Sequence, residues 1–125
     1  MLKKIYNEVT REWDSSVEEA LKSFIRLPAL SPDFDKKWEE NGVLLKALEE
    51  AKAWAEKQGI KGLRCEIIKD DGFTPCLFIE VDATSDKKFE RSVFFYGHLD
   101  KQPPNEGWDP DKSCLLYTSD AADEA

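Results

Sequence analysis

His98 is the only histidine in 125 residues, and a carboxylate follows it two positions on at Asp100. A neutral imidazole nitrogen is a ready ligand for zinc. A ligating histidine commonly donates its other ring N–H to an acceptor that fixes the ring and raises its basicity. In an extended segment residues i and i+2 point the same way, so Asp100 can face the same site as His98. The pair is a candidate metal site, with a plain alternative: a surface histidine beside a loop aspartate, carrying no chemistry. Hydrolytic zinc sites use several histidines and carboxylates and leave one position open to water, so these two residues would be only part of such a site.

The elements around the pair must hold it. Val93, Phe94, Phe95 and Tyr96 form a short continuous apolar run ended by Gly97. That pattern predicts a strand over Ser92 to Tyr96 covered on both faces, as in a parallel sheet flanked by helices. His98 would then fall just past the strand's carboxyl end, where open α/β sheets gather ligands and catalytic groups. The metal reading depends on this placement: an imidazole at the rim of a buried strand, turned toward Asp100.

The segment Tyr96-Gly97-His98-Leu99-Asp100, followed by Gln102-Pro103 and by Trp108-Asp109, resembles the first metal motif of a family of zinc-dependent exopeptidases and amidohydrolases. That family includes carnosinase-like dipeptidases, glutamate carboxypeptidases, acetylornithine deacetylase and succinyl-diaminopimelate desuccinylase. Gln102-Pro103 leans toward the dipeptidase branch. Phe24 to Pro32 also resembles the Phe-Ile-x-Ile-Pro-Ser-x-Ser stretch that closes the family's first helix. The resemblance implies that His98 ligates one zinc of a two-zinc centre and that Asp100 is a catalytic-site residue that orients an active-site imidazole. It implies hydrolysis of a dipeptide or a C-terminal peptide or amide bond by a zinc-activated water, with a small peptide or N-acyl amino acid as substrate. Family members dimerise through a further domain. The family's other ligands and its general-base glutamate have no counterpart before Lys112, so the chain by itself is expected to be inactive and at best a weak metal binder.

Other reactive residue types have simpler explanations. Asp70-Asp71-Gly72 could pass for an acid/base pair, but aspartate and glycine are turn formers and the triplet predicts a hairpin. Cys65, Cys76 and Cys114 lie in no metal-type spacing. With an odd count and no export signal they read as reduced thiols, buried or half-buried in strands.

From its start the chain reads as a helix. Leu2, Ile5, Val9, Trp13, Val17, Ala20, Leu21, Phe24 and Ile25 recur at steps of three and four, predicting one long amphipathic helix from about Leu2 to Leu27. Ser15 with Glu18 and Ser16 with Glu19 have capping-box spacing, but the stripe runs through them without a phase change. Pro28 ends the helix, and Ser31-Pro32-Asp33 is a turn. A second helix is predicted from about Asp35 to Gln58, with Trp38, Val43 (or Leu44 and Leu45), Leu48, Ala51, Trp54 and Ala55 facing inward. Asn41-Gly42 weakens its first part and Gly59 stops it. Trp38 and Trp54 are read as core anchors. Leu63, Cys65 and Ile67 alternate with polar neighbours, predicting a half-exposed strand that returns over Thr74 to Val81, with Pro75 at its start. Asp82 to Arg91 is a polar loop.

A net charge of −8 argues against a nucleic-acid surface, and no apolar run reaches membrane-spanning length. With 41% hydrophobic and 35% charged residues the chain has a globular composition. Without a secretory leader in the sequence, a cytoplasmic protein is the expectation. Cys114 to Glu124 resembles, over eleven consecutive residues, the translation of a transposase adapter used in preparing sequencing libraries. Residues 114–125 are accordingly read as a non-native tail, and 1–113 as the N-terminal part of a metallopeptidase catalytic domain. The expected fold is α/β, with N-terminal helices packed on a mixed sheet. A reading from another class is a non-catalytic α/β module that binds a protein through its acidic surface or exposed tryptophans.

Overall fold

The computed structural model describes residues 2–83, 91–104 and 107. The first helical stretch is unbroken, as its stripe predicts: α1 (Leu2–Glu12), a π-helical turn (Trp13–Val17) and α2 (Glu18–Arg26) follow without a gap. Within the π-turn the Glu18 N–H reaches back to the Trp13 carbonyl. The turn falls on Asp14-Ser15-Ser16, residues whose short polar side chains compete for backbone hydrogen bonds, and the Ser15 hydroxyl lies 3.5 Å from the Glu12 carbonyl. The extra residue in that turn rotates the apolar stripe of α1 away from that of α2. Among the described residues α1 packs on no element but the π-turn, and Leu2, Ile5 and Val9 are exposed. Of the predicted stripe, Phe24 packs on the buried cluster, so the stripe meets the core near its end and not along its whole length.

Leu27 takes an extended backbone before Pro28, and α2 ends there. The turn at Ser31-Pro32-Asp33 is closed by Phe34 and Asp35 N–H bonds to the Ser31 carbonyl. The predicted second helix is two. α3 (Trp38–Asn41) stops at Gly42, whose φ of 66° is left-handed, and α4 (Val43–Lys57) starts directly after it. Asn41 bridges the break, its side-chain oxygen accepting from the Val43 N–H at 2.9 Å while its amide donates to Asp35 at 2.6 Å. Gly59, at φ 64°, follows the end of α4 as expected.

β1 (Leu63–Ile68) and β2 (Cys76–Val81) pair antiparallel, with Leu63 opposite Val81 and Ile68 opposite Cys76. The alternation in β1 is as predicted: Leu63, Cys65 and Ile67 are half-buried and their neighbours exposed. β2 starts one residue after Pro75, which the ladder excludes from its interior. Asp70-Asp71-Gly72 lies in the connecting turn, closed by Phe73 N–H to the Asp70 carbonyl. Cys65 is half-buried as expected, whereas Cys76, on the outer face of β2, is exposed.

The core is small. Ala29, Leu44, Ala47 and Leu48 are buried, and Phe24, Leu27, Trp38 and Val43 pack around Ala29, Leu44 and Ala47. Trp38 thus serves as the expected anchor. Trp54 does not: it is 37% exposed and its indole N–H donates to the Ser16 hydroxyl at 3.3 Å, tying α4 to the π-turn. Each buried leucine contributes about 2 kcal/mol at the usual coefficient for apolar burial.

The molecule thus combines helices with strands, but the described sheet is two-stranded and antiparallel, not mixed. The strand predicted over Ser92 to Tyr96 is absent. Residues 91–100 are irregular, and Val93, Phe94, Phe95 and Tyr96 are 80–87% exposed. An apolar run of this kind becomes a strand only when neighbours take its backbone N–H and C=O groups and layers cover both faces. No described strand pairs with it. None of the described helices is long and apolar enough to cross a membrane. Trp108-Asp109, Cys114 and the tail at 114–125 lie outside the described residues.

Candidate metal centre

The His98 imidazole Nδ1 lies 3.0 Å from the Asp100 carbonyl oxygen and 3.1 Å from Asp100 Oδ1. Both partners are acceptors only, so Nδ1 carries the proton and donates to them. In the neutral ring this leaves Nε2 with the free lone pair, the form in which an imidazole binds a metal or takes up a proton. The ring is exposed and Asp100 is half-buried. The i to i+2 relation predicted from sequence therefore forms, although the segment carrying it is irregular and not the end of a strand.

His98 lines two hollows. One, of about 300 Å³, is bounded by Leu44 and Leu48 of α4, Pro75 and Cys76 at the entry to β2, and Asp100. The other, of about 730 Å³, lies between α2 and α4 and reaches Leu77 and Ile79 of β2. A depression therefore borders the imidazole, but its walls are the two helices and the edge of the hairpin.

What holds this segment in place is Lys101, a residue that no sequence motif singles out. Its backbone N–H donates to the Ala29 carbonyl at 2.8 Å, and its carbonyl accepts from the Ser31 N–H at 2.9 Å. These bonds form a single parallel bridge between Leu30 and Lys101. The Lys101 ammonium donates to the carbonyls of Phe24 and Leu27, and to that of Ile25 at 3.3 Å. It also stands 4.2 Å from the centre of the Phe24 ring. Burial pushes this ammonium below the ordinary lysine value, with the negative charge of Glu50 acting the other way. The signal was present in the sequence: Pro28 has no N–H to give to the Phe24 carbonyl four residues back, so that carbonyl keeps only the Leu27 N–H at 3.2 Å and the end of α2 has room for a further donor. A cation is the favoured one at a helix C-terminus.

Zinc fits these residues only in part. His98 offers one ligand nitrogen with an oriented ring, but no cluster of three or more histidine, cysteine or acidic side chains exists among the described residues. A catalytic zinc needs three protein ligands and an open position, and His98 supplies one of the three. Asp70 and Asp71 take no part in the site; Asp70 Oδ1 accepts from the Asp71 N–H at 3.0 Å, as a turn aspartate does. No protein-family model and no curated protein matches the chain.

Proposed function

We propose that the chain is the N-terminal part of a zinc-dependent metallopeptidase of the exopeptidase and amidohydrolase type, with a dipeptide or an N-acyl amino acid as substrate. Of the two placements this reading requires, the structure provides one, the Nδ1 to Asp100 contact that fixes the His98 tautomer and leaves Nε2 for a metal. The buried strand before it is absent, Val93 to Tyr96 being exposed, and would have to form against segments beyond Lys112. His98 is the metal ligand and Asp100 the residue that orients it. The remaining ligands and a general base must come from beyond Lys112, and the 125-residue chain alone is inactive. Dimerisation would likewise depend on segments outside this sequence, and a cytoplasmic location is part of the same reading.

The exposure of Val93 to Tyr96 also favours a second reading, a non-catalytic α/β module that binds another protein. Sequencing the source locus past Lys112 separates the two. The peptidase reading expects a frame that continues into a stretch rich in glycine and aspartate and then a Glu-Glu pair. A stop codon, or an unrelated domain, removes it.

A further inference from the structure

We propose that Lys101 is the positioning residue of the His98 and Asp100 site: its ammonium, seated on the carbonyls at the C-terminal end of α2, fixes the irregular segment that carries the imidazole. Among the described residues, every hydrogen bond between segment 91–104 and the rest of the protein involves Lys101. The residues before Gly97 have no ladder partner, and their side chains stand in solvent. The site is therefore held from its downstream side, by the first helical stretch, and not by a sheet.

The chemistry suits a lysine. Three carbonyl oxygens converge where α2 stops, Pro28 supplies no amide to them, and an ammonium has three donors to give. The Phe24 ring closes one side of the cation. The same residue's backbone joins Ala29 and Ser31, so side chain and main chain grip the same short stretch, from Phe24 to Ser31, from two directions. Between this anchor and the imidazole lie only Leu99 and Asp100, and Asp100 is the residue that accepts from Nδ1.

The purpose given to this clamp rests on the metallopeptidase reading, but its existence does not, and the test keeps the two apart. In the full 125-residue chain, amide hydrogen exchange is followed by NMR at Ser31 and at position 101, with Ala47 and Leu48 of α4 as internal references. The 15N shifts of the single imidazole are recorded alongside. Lys101→Met is expected to speed exchange at Ser31 and position 101 at least tenfold and to move the His98 ring toward the shifts of a free histidine, leaving α4 unchanged. Lys101→Arg, which keeps the charge and the donors, is expected to restore both readouts to within about threefold of the starting protein. Unchanged exchange and ring shifts in Lys101→Met overturn the proposal. So does acceleration spread equally over Ala47 and Leu48, which would make Lys101 a general contributor to the fold. The clamp is read without zinc, in a chain that holds one ligand; the metal reading fails separately, if hydrolysis by the uninterrupted reading frame is indifferent to His98→Ala while exchange still follows the charge at position 101.

Discussion

His98 Nδ1 and Asp100 Oδ1 lie 3.1 Å apart, with the Asp100 carbonyl oxygen sharing the same ring proton at 3.0 Å. The neutral imidazole should therefore be enriched in the Nδ1–H tautomer. Asp100→Ala removes the carboxylate but not the carbonyl, so a partial shift toward the Nε2–H form is expected. The 15N shifts of the one histidine report this directly. An unchanged tautomer ratio would show that the carboxylate does not orient the ring.

Gly62 makes a second, independent prediction about the hairpin. Its φ is 77°, and a Cβ added there would come within 2.8 Å of the Asp82 Cβ. The Asp82 N–H also donates to the Gly62 carbonyl at 3.2 Å, closing the open end of the β1–β2 ladder. Gly62→Ala should destabilise the protein by more than about 1 kcal/mol, since both conformation and contact oppose the methyl group. Urea unfolding measures it; a midpoint equal to that of the unsubstituted chain would contradict the strain.

How far the sequence disclosed this structure depends on how local each feature is. The stop at Pro28, the alternation of β1, the Asp70-Asp71-Gly72 turn and the His98 to Asp100 contact all involve residues within a few positions of one another, and all are found. The Gly42 break was visible as a weakness, and the left-handed glycine with the Asn41 bridge turns it into a full stop. The strand at Ser92 to Tyr96 needs partners that composition cannot supply, and there the apolar run misleads. Lys101 was missed for the opposite reason. Its partners, from Phe24 to Ser31, are about seventy positions away, and only the missing Pro28 N–H at the end of α2 hinted at them. Trp54 followed the helical stripe, but the small core gathers around Ala47, whose short side chain lets α4 approach the chain at Ala29.

The exposed face of α2 gives a pH prediction with a definite sign. Lys22 bonds Glu18 at 2.8 Å and Glu19 at 2.9 Å. The hydrogen bond from Lys22, and then its charge, hold the Glu19 carboxyl below the usual glutamate range. The hydrogen bonds that the Lys22 ammonium donates to Glu18 and Glu19 hold it above the usual lysine range. On the acid side the unfolded chain binds the proton first. The Glu19 contribution is therefore complete above the ordinary value of about 4.3 and is lost as pH falls through the lower folded value. On the alkaline side the Lys22 contribution is lost as pH rises through its raised folded value. Helix content should fall between pH 5 and pH 3, less steeply in Glu19→Gln, and the difference should shrink in 0.5 M salt. These groups are fully exposed, so the effect is small. Equal acid slopes in the two proteins would contradict it.

Val93, Phe94, Phe95 and Tyr96 give a fourth prediction. Four large apolar side chains in a row, each at least 80% exposed, form a patch that a hydrophobic dye should find. Replacing Phe94 and Phe95 together by lysine should lower dye fluorescence by at least half while leaving the helical circular dichroism unchanged. Dye binding that persists at its original level would place the patch elsewhere, with the exposed face of α1 the next region to test.

The central claim is that His98 is a zinc ligand oriented by Asp100 in a hydrolase whose other parts lie past Lys112. It is tested most directly by expressing the uninterrupted reading frame and measuring hydrolysis of dipeptides and N-acyl amino acids. The account predicts activity that is lost to a chelator, restored by zinc, abolished by His98→Ala and lowered about 10- to 100-fold by Asp100→Ala, the usual effect of removing an outer partner of a ligand. Hydrolysis indifferent to the chelator and to His98→Ala would contradict it.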